Sequence, residues 1–98
     1  MPVLTILQVN IRNWHSNKYI FETDLVNYPP DVILLNETSA VNVGIKLRGY
    51  YVIQTCEELF SGVAILIKDQ LQFSILPVKD KNTLAIKLLT TLGPIIIA

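Results

Sequence analysis

Histidine and cysteine are nearly absent: the 98-residue chain has one of each, His15 and Cys56. A zinc centre of the usual Cys/His spacing is therefore excluded. So is an internal disulfide, and the lone thiol suits a reducing compartment. The four glycines build neither a phosphate-cradling loop nor a nucleophile elbow. Net charge is missing as well. Eight basic and eight acidic residues cancel, so any nucleic-acid reading must rest on a site and not on bulk charge. No apolar run reaches the ~18 residues of a membrane span. The opening Met1-Pro2-Val3-Leu4-Thr5 lacks the basic start of a secretory signal, so no membrane partner is expected. What the chain does have is apolar residues, 51% against 16% charged. That excludes intrinsic disorder and points to one small domain with much to bury.

The organising stretch is Pro29-Pro30-Asp31-Val32-Ile33-Leu34-Leu35-Asn36-Glu37-Thr38. A short, partly β-branched apolar run between Pro-Pro and a carboxylate reads as a strand buried on both faces. Upstream, residues 4–9 read as a strand, followed by Asn10 and a loop over 11–17. A helix is expected over 17–28, capped by Ser16 or Asn17. Phe21, Leu25 and Tyr28 form its buried stripe with Ile20 beside them, while Glu22 and Asp24 face water. Pro29-Pro30 stops it. Strand, helix and strand within about 35 residues make a βαβ unit, whose crossover is right-handed and whose strands run parallel. Parallel strands end on the same edge. Asn10 and Glu37, each expected just after a strand, are thereby delivered to one rim, where open α/β sheets collect ligands.

Downstream, residues 39–47 form a less regular region, read as holding one short helix that ends near Gly44. Strands are expected at 50–54, 62–67, 71–75, 83–89 and after Gly93-Pro94, with Glu57 and Glu58 in a solvated loop and a turn at 79–82. The fold class is α+β: a βαβ start, then a meander giving a mixed, largely antiparallel sheet. The last residues, Gly93-Pro94-Ile95-Ile96-Ile97-Ala98, read as a core strand. Complete domains more often end on a polar segment, so the chain is expected to be the N-terminal piece of a larger domain. The alternative is that this strand completes a small sheet.

The inventory for chemistry is thin. A hard cation such as Mg²⁺ takes carboxylate oxygen, keeps most of its waters and needs only one or two protein carboxylates. Glu37 beside the Asn10 amide meets that demand; a solvated strand end and an ordinary turn asparagine are the alternatives. Asn36 and Thr38 either orient Glu37 or close the turn. Cys56 reads as an inert, half-buried thiol, and Tyr50 and Tyr51 as sheet residues.

Leu7-Gln8-Val9-Asn10-Ile11-Arg12 resembles the opening strand motif of the endonuclease/exonuclease/phosphatase superfamily. The stretch from Pro30 to Thr38 resembles its second motif, where Asn or Gln precedes a metal-binding Glu and Thr follows. Gly49-Tyr50-Tyr51 and Ser61-Gly62-Val63-Ala64-Ile65-Leu66-Ile67-Lys68 resemble segments of its non-LTR retrotransposon branch, with jockey-like LINE elements the nearest in feel. The resemblance implies the N-terminal part of a four-layered α/β sandwich, residues 1–98 being a partial domain. It implies Mg²⁺-dependent nicking of DNA, with Mn²⁺ as the alternative ion, to prime reverse transcription. Glu37 and Asn10 would be the catalytic and metal-site residues. Asn10, Arg12, Asn36 and Thr38 would be the substrate contacts. On the same resemblance Arg12, Trp14 and His15 would touch DNA; for Trp14 the alternative is packing. Attack by an activated water would use an Asp base and a His–Asp pair from later motifs, which this chain lacks, so it is expected to be inactive by itself. His15 lies in the first loop and cannot replace the missing histidine. Ser61, where the branch often has Gly, and Gln54-Thr55-Cys56, which lacks its Arg and Asp, are departures. The parent protein would carry a reverse transcriptase (RNA-directed DNA polymerase) domain in the same polyprotein and act in the nucleus. A phosphatase or abasic-site nuclease of the same superfamily, or a non-catalytic relic serving as a binding module, are the alternatives.

Overall fold

A strand with no polar face has to be covered from both sides, and that requirement shapes the whole architecture. The computed structural model describes residues 4–25, 29–41, 44–56, 61–78, 83–90 and 93–97. Tyr28, Glu57, Glu58, the turn expected at 79–82 and the Asp24 side chain lie outside the described residues. The elements are β1 (Ile6–Asn10), α1 (Trp14–Leu25), β2 (Val32–Asn36), β3 (Tyr50–Thr55), β4 (Val63–Lys68), β5 (Gln72–Leu76), β6 (Ala85–Thr90) and β7 (Gly93–Ile97).

The expected βαβ unit is present: β1 and β2 pair in parallel around α1. The helix begins earlier than the spacing predicts, at Trp14 and not at residue 17. Its cap is Asn13, whose Oδ1 accepts the Ser16 N–H at 3.1 Å. Neither Ser16 nor Asn17 caps it; the Asn17 side chain donates to the Ile11 carbonyl at 2.9 Å and ties the helix back to β1. The earlier start turns Trp14 inward. Trp14 is 3% exposed and meets Phe21 edge-on, with ring centroids 6.1 Å apart. Leu25 extends this stripe, whereas Ile20, expected beside it, is 67% exposed. Glu22, expected in water, is half-buried.

The strand pattern suggests a mixed, largely antiparallel sheet and the resemblance a layered sandwich; the seven strands of the described residues form two sheets. The first has the order β1-β2-β4-β3, with β4 antiparallel to both neighbours, and the second is an antiparallel β5-β6-β7. The cause is apolar residues on both faces of β2 and β4. Ile33, Leu35, Ala64 and Leu66 are buried under α1 together with Trp14 and Phe21. Val32, Ile65 and Ile67 are buried on the other face, against Ile86, Leu88 and Ile97 of the second sheet. A single meander would leave one of these faces wet, at roughly 1.5–3 kcal/mol for each large side chain exposed. Tyr51 and Phe73, 5.2 Å apart, join the sheets through β3 and β5. The chain is thus α+β in three layers: helix, four-stranded sheet, three-stranded sheet. Residues 39–41 and 44–47 hold no helix; Ile45 is instead buried, its N–H donating to Gln54 Oε1 at 2.6 Å.

The end of the sheet where β2 begins is anchored. Asp31 accepts hydrogen bonds from Thr5 N–H at 2.9 Å and Thr5 Oγ1 at 3.2 Å, and lies 3.5 Å from Lys68 Nζ. The Tyr50 hydroxyl donates to the Pro30 carbonyl nearby. Burial, and after it the Asp31 charge, raises the pKa of that phenol above its ordinary value.

Candidate active site

The opposite end of the sheet is built differently. Asn10 stands directly across from Asn36, so β1 and β2 finish at the same rim. Asn10 is the last residue of β1 and not, as expected, the first after it; Glu37 is the first past β2. Antiparallel pairing starts β4 at that same rim, with Val63 opposite Asn36. Backbone hydrogen bonds then lace three chain segments together. Ile11 N–H donates to the Asn36 carbonyl (3.1 Å), Trp14 N–H to Thr38 (2.8 Å), Thr38 N–H to Gly62 (3.3 Å) and Ser39 N–H to Ser61 (2.9 Å).

Those loops hold the three non-glycine residues with positive φ among the described residues: Arg12 at 61°, Glu37 at 54° and Ser39 at 52°. Left-handed backbone in an ordinary residue costs on the order of 1–3 kcal/mol and concentrates where a site over-determines the chain. Sequence reasoning missed this feature. Arg, Glu and Ser carry no signal for it; a Gly or Asn there would have.

The expected site residues fall as follows. Asn10 is exposed; Asn36, opposite it in the register, and Glu37, the next residue, are half-buried. Among the described residues the Glu37 carboxylate has no hydrogen-bond or ion-pair partner. Arg12 is exposed in the loop after β1, and His15 is exposed in the first turn of α1. Trp14, considered as a DNA contact, is core. Thr38, expected to touch substrate, is 1% exposed, and its Oγ1 accepts the Ala40 N–H at 3.5 Å. It lies beneath the rim because its backbone is bonded on both sides. A cavity of about 200 Å³ opens between the sheets next to Asn36, lined also by Gln8, Leu34, Val63 and Thr83.

Among the described residues no cluster of three or more His, Cys, Asp or Glu side chains stands ready for a metal. A carboxylate with no partner among the described residues, on a rim that also carries the Asn10 and Asn36 carboxamides, does fit a hard divalent ion that retains most of its water and takes further oxygens from a phosphate. It does not fit zinc.

No family model and no curated protein matches the chain. Solved structures do. One is a variant of the 3' phosphatase NExo from Neisseria bound to product DNA hairpin, at 16% identity and a TM-score of 0.66, covering 96% of this chain and 40% of that one. Another is the 3'-5' exonuclease NExo from Neisseria meningitidis, at 17% identity and a TM-score of 0.59, covering 94% and 40%. The chain spans about two-fifths of their length. The fold of this chain is the one that these exonuclease and phosphatase structures contain over that span.

Proposed function

We propose that the chain is part of a divalent-metal-dependent phosphodiesterase acting on DNA, of the kind that non-LTR retrotransposons use to nick their target. The observation that supports this is the shared rim: parallel β1 and β2 both finish there, β1 on Asn10 opposite Asn36 and β2 just before Glu37, whose carboxylate has no partner among the described residues. Glu37 would hold Mg²⁺ or Mn²⁺, with Asn10 next to it. Bound there, the ion would neutralise charge on a phosphate and on the leaving oxygen. Asn10, Asn36 and exposed Arg12 would position the phosphate, and Thr38 would act from below. Coverage of two-fifths of the neighbouring enzymes supports reading residues 1–98 as a partial domain, inactive alone. A reverse transcriptase domain in the parent and a nuclear site of action belong to the same reading and rest on the motif resemblance.

Paramagnetic broadening by Mn²⁺ tests the site. Amide signals of Glu37 and Asn10 are expected to broaden first, and Glu37→Ala to abolish this; equal broadening in both proteins overturns the reading. With Mg²⁺ and supercoiled plasmid the chain is expected not to nick. Robust nicking lost in Glu37→Ala would overturn the inactivity.

A second reading is favoured by the neighbours themselves, a 3' phosphatase and a 3'-5' exonuclease: the substrate is a DNA 3' end. With Mn²⁺ present, tighter binding of a 3'-phosphorylated hairpin than of closed duplex supports it, and the reverse order supports the endonuclease.

A further inference from the structure

Gly62 begins the turn into β4 with φ 103°, buried against the loop that carries Glu37. A Cβ on it would stand 2.5 Å from Thr38 Oγ1, 2.7 Å from Cys56 Sγ and 2.8 Å from Cys56 Cβ. Carbon atoms do not approach so closely without something moving. Gly44, Gly49 and Gly93, in contrast, have open space where a Cβ would go. We propose that Gly62 is a positioning residue for the Glu37 carboxylate, acting through Thr38; this rests on the metal-site reading above.

The connection is short. Gly62 touches Thr38 twice, through the missing Cβ and through its carbonyl, which accepts the Thr38 N–H. Thr38 is fixed on its other side by the Trp14 N–H. Cys56 is held where it is, following β3 and donating from Sγ to the Ser61 carbonyl at 3.4 Å. A methyl group at Gly62 therefore pushes on the 37–39 loop, whose residues Glu37 and Ser39 already hold the less favourable left-handed backbone and can relax away from it when displaced. Displacements of about 1 Å at a binding group are enough to weaken a preorganised site severely.

The test compares Gly62→Ala with Gly49→Ala. Gly49 has φ 87° and nothing within 4 Å, so it imposes the same backbone penalty far from the rim. Both variants are expected to melt at lower temperature. Only Gly62→Ala should alter the three-bond amide coupling of Glu37 and weaken Mn²⁺ binding by tenfold or more. If Gly62→Ala leaves both at wild-type values, the proposal is overturned. If Mn²⁺ fails to bind the wild type at all, the metal reading falls while the coupling still decides whether Gly62 sets the Glu37 backbone. Should Gly62→Ala fail to fold, Thr38→Ala opens the same contact without crowding. A changed Glu37 coupling there supports the proposal, and an unchanged one sinks it.

Discussion

Replacing Glu37 by glycine should make the protein more stable, although it removes the carboxylate on which the candidate site is built. Glu37 has φ 54°, where a side chain costs roughly 1–2 kcal/mol relative to glycine. Its carboxylate has no partner among the described residues, so deleting it forfeits no interaction. Against the relief stands the larger entropy of glycine in the unfolded chain, about 0.5–1 kcal/mol. The net expectation is a gain of about 0.5–1 kcal/mol. Glu37→Ala is the reference: it loses the carboxylate and keeps the strained backbone, so it should match the wild type within about 0.5 kcal/mol. Urea unfolding followed by far-UV circular dichroism reads both. With a slope of about 1 kcal/mol/M for a small domain, the glycine variant should unfold about 0.5–1 M later than the alanine variant. Mn²⁺ binding should be lost in both. If glycine is no better than alanine at this position, the left-handed conformation is not what the protein adopts, and the argument that the rim stores strain fails.

Trp14→Ala should destabilise by about 3–5 kcal/mol as a buried aromatic, read by the same melts; a loss under about 1 kcal/mol would return Trp14 to the surface as a candidate DNA contact. Asn13→Ala removes the Ser16 N–H acceptor and should cost about 1 kcal/mol, whereas Asn17→Ala should leave the helix start intact by amide exchange. The raised pKa of Tyr50, caused by burial and then by Asp31, means that the unfolded state loses its phenolic proton first. Stability contributed there is complete below pH ~10 and falls as pH rises above it; melts between pH 9 and 11 should show Tyr50→Phe lacking that component.

The βαβ start was legible because its signals are local and mutually consistent. Pro29-Pro30 stops a helix whatever surrounds it, and four consecutive apolar residues from Val32 have one reading. Parallel pairing and a common rim for Asn10 and Glu37 follow from joining two strands of one sheet through a helix. The helix start was misplaced because Asn13, Ser16 and Asn17 are all competent caps, and the choice was made by Trp14 having a core to enter. The split into two sheets was written in β2 and β4, apolar on both faces, but alternation within a strand does not say what will cover it. Residues 39–47 look helical, but the described ones, 39–41 and 44–47, hold no helix; Ile45 instead has a buried place and a bond to Gln54. The strain at Arg12, Glu37 and Ser39 has no local signature at all, since it is imposed by hydrogen bonds from three separate segments.

β2 carries a carboxylate at each end, and the contrast between them bears most directly on function. Asp31, before the strand, takes two hydrogen bonds from Thr5 and an ion pair from Lys68. That is how folded proteins ordinarily treat a half-buried acid: its charge is met from within. Glu37, after the strand, is half-buried too, yet nothing among the described residues meets it. Its backbone is held in a conformation that glycine would adopt more easily. A chain selected for stability alone would have neither feature. Both make sense together if the group that answers the Glu37 charge comes from solution, a hydrated cation bringing its own partner oxygens. Under the function proposed above, the two ends of one strand would put the same chemistry to two uses, one closing the fold and the other holding a ligand.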